Sequence, residues 1–232
     1  MTLVFLMRFW RLIVHKIAFY VSGGASRLKN LFEKDSFILQ DTHLIVFDNP
    51  PLESLQKLAN KAKIPLLEID YKKLGLIQKE RNRYLSATLL NAFKKYKITY
   101  CFCFGRLLLE GELLKVYKNK IINFHPSILP MFAGNRAIDK QLESKSFLLG
   151  NTAHFIDSQM DSGPIIMQSV LRRSDFVDYE SVLSLQIPMI EQIYMWIKEN
   201  RIFIKNHQVY IKDSTSTPSF FPNLEISNRG KI

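Results

Sequence analysis

Residues 121–168 read IINFHPSILPMFAGNRAIDKQLESKSFLLGNTAHFIDSQMDSGPIIMQ, and two short pieces of this stretch decide how the chain folds. In the first, Asn123-Phe124-His125-Pro126-Ser127, an apolar run ends in two polar side chains and a proline. Side chains of a strand alternate between faces, so Asn123 and His125 point the same way. Pro126 has no N–H to give the ladder and stops it. An amide and an imidazole thus stand together at the C-terminal end of a strand, where open α/β sheets place their ligands. The second piece, residues 157–164 (DSQMDSGP), is an acidic turn-forming loop between the apolar runs 153–156 and 165–167.

Outward from this stretch, strands alternate with helices. Residues 16–21 read as a buried first strand. It leads into Ser22-Gly23-Gly24-Ala25-Ser26-Arg27-Leu28, a small-residue turn that opens a helix. Free N–H groups and the positive helix end meet there, which makes an anion site. Strands follow at 43–47, 66–69 and 98–104, with helices at 52–62 (apolar at Leu52, Leu55, Leu58 and Ala62) and 78–96. A helix over 136–143 joins the two chemical pieces. The periodicity of Val182, Leu185, Met189, Ile193 and Trp196 predicts one long helix over 179–199, kinked at Pro188. Residues 202–204 and 208–211 form a hairpin about Asn206-His207. The alternation argues for an α/β fold with a mostly parallel twisted sheet flanked by helices and a short C-terminal hairpin and tail. The chain divides into an extension (1–15), an α/β domain (16–200), and the hairpin and tail (201–232).

Composition sets bounds on function. A chain of 232 residues with 47% hydrophobic residues builds one ordinary core. The net charge of +11 suits acidic partners such as phosphates. Long basic runs interleaved with aromatics are absent, so no dedicated nucleic-acid surface is indicated. The two cysteines, Cys101 and Cys103, face one side of a strand as buried thiols, and no metal set assembles around them. The opening MTLVFLMRFWRLIVH is apolar but broken by Arg8 and Arg11, too short and too charged for a transmembrane segment. A cytoplasmic protein is expected, and nothing in the sequence excludes a homodimer.

Asn, His and Asp converging on one crevice suit acyl transfer to an amine. As the amine attacks a formyl carbonyl, an oxyanion develops. A positioned amide N–H stabilises it, and an imidazolium does the same or passes on a proton. A neighbouring carboxylate raises the imidazole pKa or relays the amine proton. His154 lies on an alternating strand and reads as a satisfied core or supporting histidine. His15, His43 and His207 have no comparable company.

The stretch resembles the 10-formyltetrahydrofolate-dependent formyltransferases, which include glycinamide ribonucleotide, methionyl-tRNA and nucleotide-sugar N-formyltransferases. Their shared pattern is a strand ending N-x-H-P-S-x-L-P, a Gly-containing segment, then G-x-T-x-H-x6-D-x-G-x-I-x-x-Q. It is met by Asn123, His125, Pro126, Ser127, Leu129 and Pro130, then by Gly150, Thr152, His154, Asp161, Gly163, Ile165 and Gln168. The resemblance implies a Rossmann-like formyltransferase fold and Asn123, His125 and Asp161 as the catalytic trio. It places the co-substrate 10-formyltetrahydrofolate along Gly105, Arg106, Leu107 and Leu108, and along Ile156, Asp157 and Asp161. The family usually has Met where this chain has Gly105. The turn at Ser22, Gly23, Gly24, Ala25, Ser26 and Arg27 is similar to the family's S-G-x-G-S-N-L phosphate loop, departing at Ala25 (Gly there) and Arg27 (Asn there). With Arg136 it would hold a phosphorylated small-molecule amine.

The acceptor divides the family. Only 64 residues follow Gln168, which leaves little for the C-terminal domain of the tRNA enzymes. Few precede Lys16, which leaves little for the N-terminal domain of the related hydrolases. A catalytically silent folate- or nucleotide-binding protein is disfavoured by the intact trio. Three features lean toward a nucleotide-linked amino sugar, such as a dTDP-4-amino-4,6-dideoxyhexose used for surface polysaccharide. These are the segment Met131 to Arg136, Gln186 at a place where glycinamide ribonucleotide enzymes have glutamate, and the tail Thr217 to Leu224, whose Phe221 would cover a base. The alternative acceptor is phosphoribosylglycinamide.

Overall fold

A computed structural model of the chain describes residues 14–48, 53–216, 219 and 221. Nine strands are described: β1 (Ile17–Val21), β2 (Thr42–Phe47), β3 (Leu66–Glu68), β4 (Tyr100–Phe104), β5 (Ile121–His125), β6 (Leu148–Phe155), β7 (Ile165–Arg172), β8 (Ile202–Lys205) and β9 (Gln208–Ile211). The α-helices are α1 (Ser26–Glu33), α2 (Glu53–Lys61), α3 (Tyr71–Leu74), α4 (Gln78–Tyr96), α5 (Glu112–Val116), α6 (Ala137–Glu143), α7 (Tyr179–Ser184) and α8 (Gln186–Lys198).

Seven strands form one sheet in the order β3-β2-β1-β4-β5-β6-β7. The pairs from β3 to β5 are parallel, while β5–β6 and β6–β7 are antiparallel. The sequences of β1 (IAFYV) and β4 (YCFCF) are apolar throughout because helices cover both faces, as parallel sheets require. Period-two alternation sorts their side chains. Phe19, Phe102 and Phe124 stack toward α1 and α8, where Leu28, Leu31, Ile190 and Ile193 meet them. Ala18, Tyr20, Cys101 and Cys103 face α4 and α5, meeting Leu85, Leu89, Phe93 and Leu113. Both thiols are buried, and burial raises them well above the ordinary thiol range.

Strand order reverses between β1 and β4, which creates a switch-point crevice outside their C-terminal ends. Two hydrogen bonds tie its two sides together. Ser22 N–H donates to the Phe104 carbonyl (3.3 Å), and Arg106 N–H donates to Ser22 Oγ (3.2 Å).

Two expectations are corrected. Residues 179–199 form two helices in place of one: Pro188 interrupts the run as expected, but the break falls at Leu185, next to the Ser184 carbonyl that the missing Pro188 N–H cannot reach. Pro188 sits in the first turn of α8, where no intrahelical N–H is needed. Asp178 caps the start of α7 through Ser181 N–H (2.8 Å). The helix over 136–143 begins one residue late, because Arg136 is left-handed (φ 58°). The hairpin forms as expected, with Asn206 and His207 both at positive φ in the type I′ manner. Among the described residues no helix is long and apolar enough to cross a membrane.

Gly150 in β6 passes close to β7: a Cβ there would lie 2.0 Å from the Ser169 carbonyl oxygen. Gly150→Ala is expected to lower unfolding free energy by about 1–3 kcal/mol, the usual cost of overpacking. Urea denaturation measures it, and an unchanged midpoint would contradict the close packing of β6 on β7.

Candidate active site

The ladder between β5 and β6 sets the site. Asn123 pairs with His154, and His125 with Thr152. Directly opposed residues share a face, so the amide meets the imidazole. His154 Nδ1–H donates to the Phe155 carbonyl (3.0 Å). Nε2 stands 3.2 Å from the Asn123 amide nitrogen and 3.6 Å from Asp161 Oδ1: a neutral ring accepts the amide N–H there, and a protonated ring donates to the carboxylate. Asn123 itself lines the crevice.

Asp161 arrives from the loop between β6 and β7. Its Oδ2 lies 3.4 Å from His125 Nδ1 and accepts the Gly134 N–H at 2.7 Å, and its Oδ1 lies 3.6 Å from His154 Nε2. The residue is left-handed (φ 53°), a strained conformation of the sort found at functional sites. Gly163 lets the loop press back on β6, since a Cβ there would lie 1.8 Å from the Phe155 carbonyl oxygen.

His125 is buried, and its Nε2–H donates to the Phe132 carbonyl (3.0 Å). Ser127 Oγ steadies that segment by donating to the Met131 carbonyl (2.7 Å). Beneath it, Thr152 Oγ1 donates to the Ser127 carbonyl (2.7 Å) and accepts the Leu129 N–H (2.9 Å). Gln168 Nε2 donates to Thr152 Oγ1 (2.9 Å) and to the Leu129 carbonyl (3.0 Å). Ser127, Thr152 and Gln168 therefore brace the loop that carries the Phe132 carbonyl.

Electrostatics set the imidazole and the carboxylate against each other. Burial pulls His125 below its ordinary pKa and outweighs the upward pull of Asp161 and of the Phe132 carbonyl. Burial alone would raise Asp161. The contact with His154, the Gly134 N–H and the nearness of His125 outweigh it and hold the carboxyl below its usual range.

The trio opens on a cavity of about 870 Å³ at the C-terminal ends of β1, β4 and β5. Gly105, Arg106, Leu107 and Leu108 form one wall, and Ile156, Asp157 and Asp161 another. Gly105 is obligatory because a Cβ would lie 1.9 Å from the Tyr20 ring, which fills the space a side chain would take. Tyr20 is fixed by donating to Asp48 Oδ2 (2.7 Å). Asp157 Oδ1 binds its own loop, accepting from Gln159 N–H (3.0 Å) and Ser162 Oγ (2.7 Å).

Across the cavity stand Ser22, Gly24, Ala25, Ser26 and Arg27 at the start of α1. Gly23 is the left-handed turn residue (φ 68°) beneath the Arg106 guanidinium. Ala25 is also left-handed (φ 50°), which explains a preference for glycine at this place. Arg27 lies over the Phe104 ring (4.4 Å to the centroid) and donates to Gln186 Oε1 (2.8 Å). Burial pulls its guanidinium down to about 10, which leaves it cationic at neutral pH. Arg136 is at the wall but bonded outward, to Asp139 (3.0 Å) and Glu143 (3.7 Å).

Two acceptor-side expectations fail. Gln186 does not face the cavity: it is fully buried, with Nε2 donating to Asn151 Oδ1 (2.8 Å) and the Phe124 carbonyl (3.3 Å). Tyr179, Glu180 and Leu183 of α7 take its place in the wall, a contribution the single-helix reading missed. Phe221 is half-buried and is not part of the wall, and the rest of the tail from Thr217 to Leu224, Ser219 apart, lies outside the described residues. The direct link of His154 to both Asn123 and Asp161 was also missed. It depends on the antiparallel register of β5 and β6, which single-strand alternation does not give.

Asp161 raises His125, so removing its charge takes away that pull. Asp161→Asn is expected to move the His125 titration, followed by NMR of the ring protons, to lower pH. An unchanged or raised titration would show that the two groups are not electrostatically linked.

Known proteins can now be set beside this geometry. Residues 15–180 match the formyl transferase family model. The trifunctional purine biosynthetic protein adenosine-3 of Gallus gallus is 32% identical over 160 residues, 67% of this chain but only 15% of that protein. The phosphoribosylglycinamide formyltransferase of Bacillus subtilis is 26% identical over 170 residues, 72% of this chain and 84% of that one. The crystal structure of glycinamide ribonucleotide transformylase 1 from Symbiobacterium toebii superposes with a TM-score of 0.72 at 24% identity, covering 86% of this chain and 94% of its own, a likeness of fold. With a family match over more than half its length and the pattern residues gathered around one cavity, the chain belongs to the formyl transferase family.

Proposed function

We propose that this chain moves the formyl group of 10-formyltetrahydrofolate to the amine of phosphoribosylglycinamide. The observation that carries the chemistry is the convergence of Asn123, His125 and Asp161 at the cavity beside an anion-binding turn. The acceptor rests on the relatives, whose names specify phosphoribosylglycinamide. The expectation of a nucleotide-linked amino sugar loses two of its supports, since Gln186 is buried behind Arg27 and Phe221 stands apart from the cavity wall.

The donor fits the walls that face the trio. The backbone at Gly105–Leu108 offers edge groups to a pterin, and Leu107, Leu109 and Ile156 give it apolar contact. The donor supplies an activated formyl carbonyl, so no protein nucleophile is required. The acceptor phosphate lies against Ser22–Arg27, where helix-end N–H groups and the Arg27 cation meet it.

The acceptor amine bonds to the formyl carbon, and the carbonyl pair moves onto oxygen. The free N–H of Asn123 donates to that oxyanion, and His125 adds positive charge beside it when it takes up the amine proton. Asp161 accepts a proton from the amine nitrogen, directly or through His125. Collapse breaks the bond from the formyl carbon to the folate nitrogen, which leaves carrying the proton that Asp161 took from the amine, and the trio returns to its starting state. His154 keeps the Asn123 amide turned so that its second N–H points at the oxyanion.

Asn123→Ala and His125→Ala are each expected to lower kcat by about 10²–10³-fold, as loss of an oxyanion donor does elsewhere. The assay follows folate absorbance with phosphoribosylglycinamide in one cuvette and dTDP-4-amino-4,6-dideoxyglucose in another. Turnover in the first supports the reading. Turnover only in the second would overturn the acceptor, and near-normal rates in the variants would overturn the trio.

A further inference from the structure

The end of the sheet opposite the cavity carries a cationic surface. The N-terminal ends of β1, β4 and β5 lie side by side there, Ile17 pairing with Tyr100 and Cys101 with Ile121. The chain enters β1 at this end, fastened by Lys16 N–H to Thr99 Oγ1 (3.0 Å) and Thr99 N–H to the Lys16 carbonyl (2.8 Å). An edge-on contact of the Phe93 and Tyr117 rings (5.2 Å) draws the ends of α4 and α5 together beside it.

Those two ends read NAFKKYK (91–97) and LLKVYKNK (113–120), with six lysines and no carboxylate. All six, Lys94, Lys95, Lys97, Lys115, Lys118 and Lys120, are exposed. The neighbouring Glu112 is 3.5 Å from Lys115, which leaves the other five unopposed within these segments. Val116 (45%) within the second segment and Val14 (68%), two residues before the Lys16–Thr99 link, are exposed apolar side chains. Val14 continues in sequence from residues 1–13, MTLVFLMRFWRLI, which hold ten apolar residues, Phe5, Phe9 and Trp10 included, and two arginines.

We propose that this face docks on an anionic phospholipid bilayer. Lysines within a Debye length of an anionic leaflet are drawn to it, and Trp, Phe and Leu flanked by arginine partition into the headgroup region. A nucleic acid would satisfy the lysines but offers nothing to Val14, Val116 or the apolar stretch, so lipid is the better fit. Docked this way, the cavity faces away from the membrane, because it lies at the opposite ends of the same strands. The proposal is independent of which amine the enzyme formylates.

The test is sedimentation of the full chain with vesicles of phosphatidylcholine alone or with about a third phosphatidylglycerol. Binding to the anionic vesicles is expected, weakened by salt at about 0.5 M. The variant K94E/K97E/K118E/K120E is expected to bind at least about tenfold more weakly, with unaltered circular dichroism and unaltered formyl transfer in solution. Trp10→Glu should also weaken binding without touching activity. The proposal is overturned if the full chain stays in the supernatant, if the charge-reversed variant binds as well as the original, or if a short DNA duplex strips the protein from the vesicles at equal phosphate concentration.

Discussion

The Asp161 carboxylate is the point at which four separate pieces of chain are held to one another. One oxygen takes the Gly134 N–H and faces His125, while the other faces His154. Those partners come from the loop after β5, from β5 itself and from β6, and Asp161 hangs from the loop after β6. A carboxylate withdrawn from water is costly unless such partners satisfy it. Much of the surrounding architecture keeps them in range: Gly163 pressed on β6, Thr152 and Gln168 under the 127–132 segment, and Phe132 turned to aim its carbonyl at His125. The same contacts prepare the site electrically. His125 is asked to donate from both nitrogens, to a carbonyl and to a carboxylate, while burial resists its charging. An imidazole caught between these demands gives up and regains a proton easily, which general acid–base work requires.

How much of this was legible beforehand follows from the range of the forces involved. The strand ending at His125 was readable because alternation and a proline stop are local rules, and α4 was readable to its ends for the same reason. The break at Leu185 was not. Helical periodicity continues across it, and Gln186 just beyond it is held by Arg27, Phe124 and Asn151, from α1, β5 and β6. Pro188 signalled an interruption but not its place, because the bond a proline removes runs to the carbonyl four residues earlier, which puts the break at Leu185. His154 was read as a core or supporting residue, but its partners were hidden likewise. Its contacts to Asn123 and Asp161 need the β5–β6 register, which no single segment encodes.

Departures from the family pattern separate by the same reasoning. Gly105 looked like a lost side chain, yet the Tyr20 ring occupies the space in which that side chain would begin. The substitution is one half of an exchange of volume between β1 and the end of β4, and the backbone edge facing the cavity is left in place. Ala25 is a true local cost, a methyl-bearing residue kept left-handed so that α1 starts where it must.

Arg27 is of a third kind. Its positive charge is put into the floor of the acceptor side, stacked on Phe104, and its one protein hydrogen bond among those described goes to a neutral amide. No carboxylate lies within ion-pairing distance of Arg27 among the described residues, and its Nε is buried without a partner there. A buried cation with such company favours an anionic ligand over a neutral one. The Gln186 and Asn151 amides hold it from behind, and Asn151 also donates to the Val182 carbonyl (2.8 Å) in α7. The helix that supplies Tyr179, Glu180 and Leu183 to the cavity is thereby braced through the same chain of amides as the cation. Divergence on the acceptor side is therefore a coordinated repacking from behind the wall, running from α1 through the sheet to α7, with the formyl-transfer chemistry in front of it unchanged.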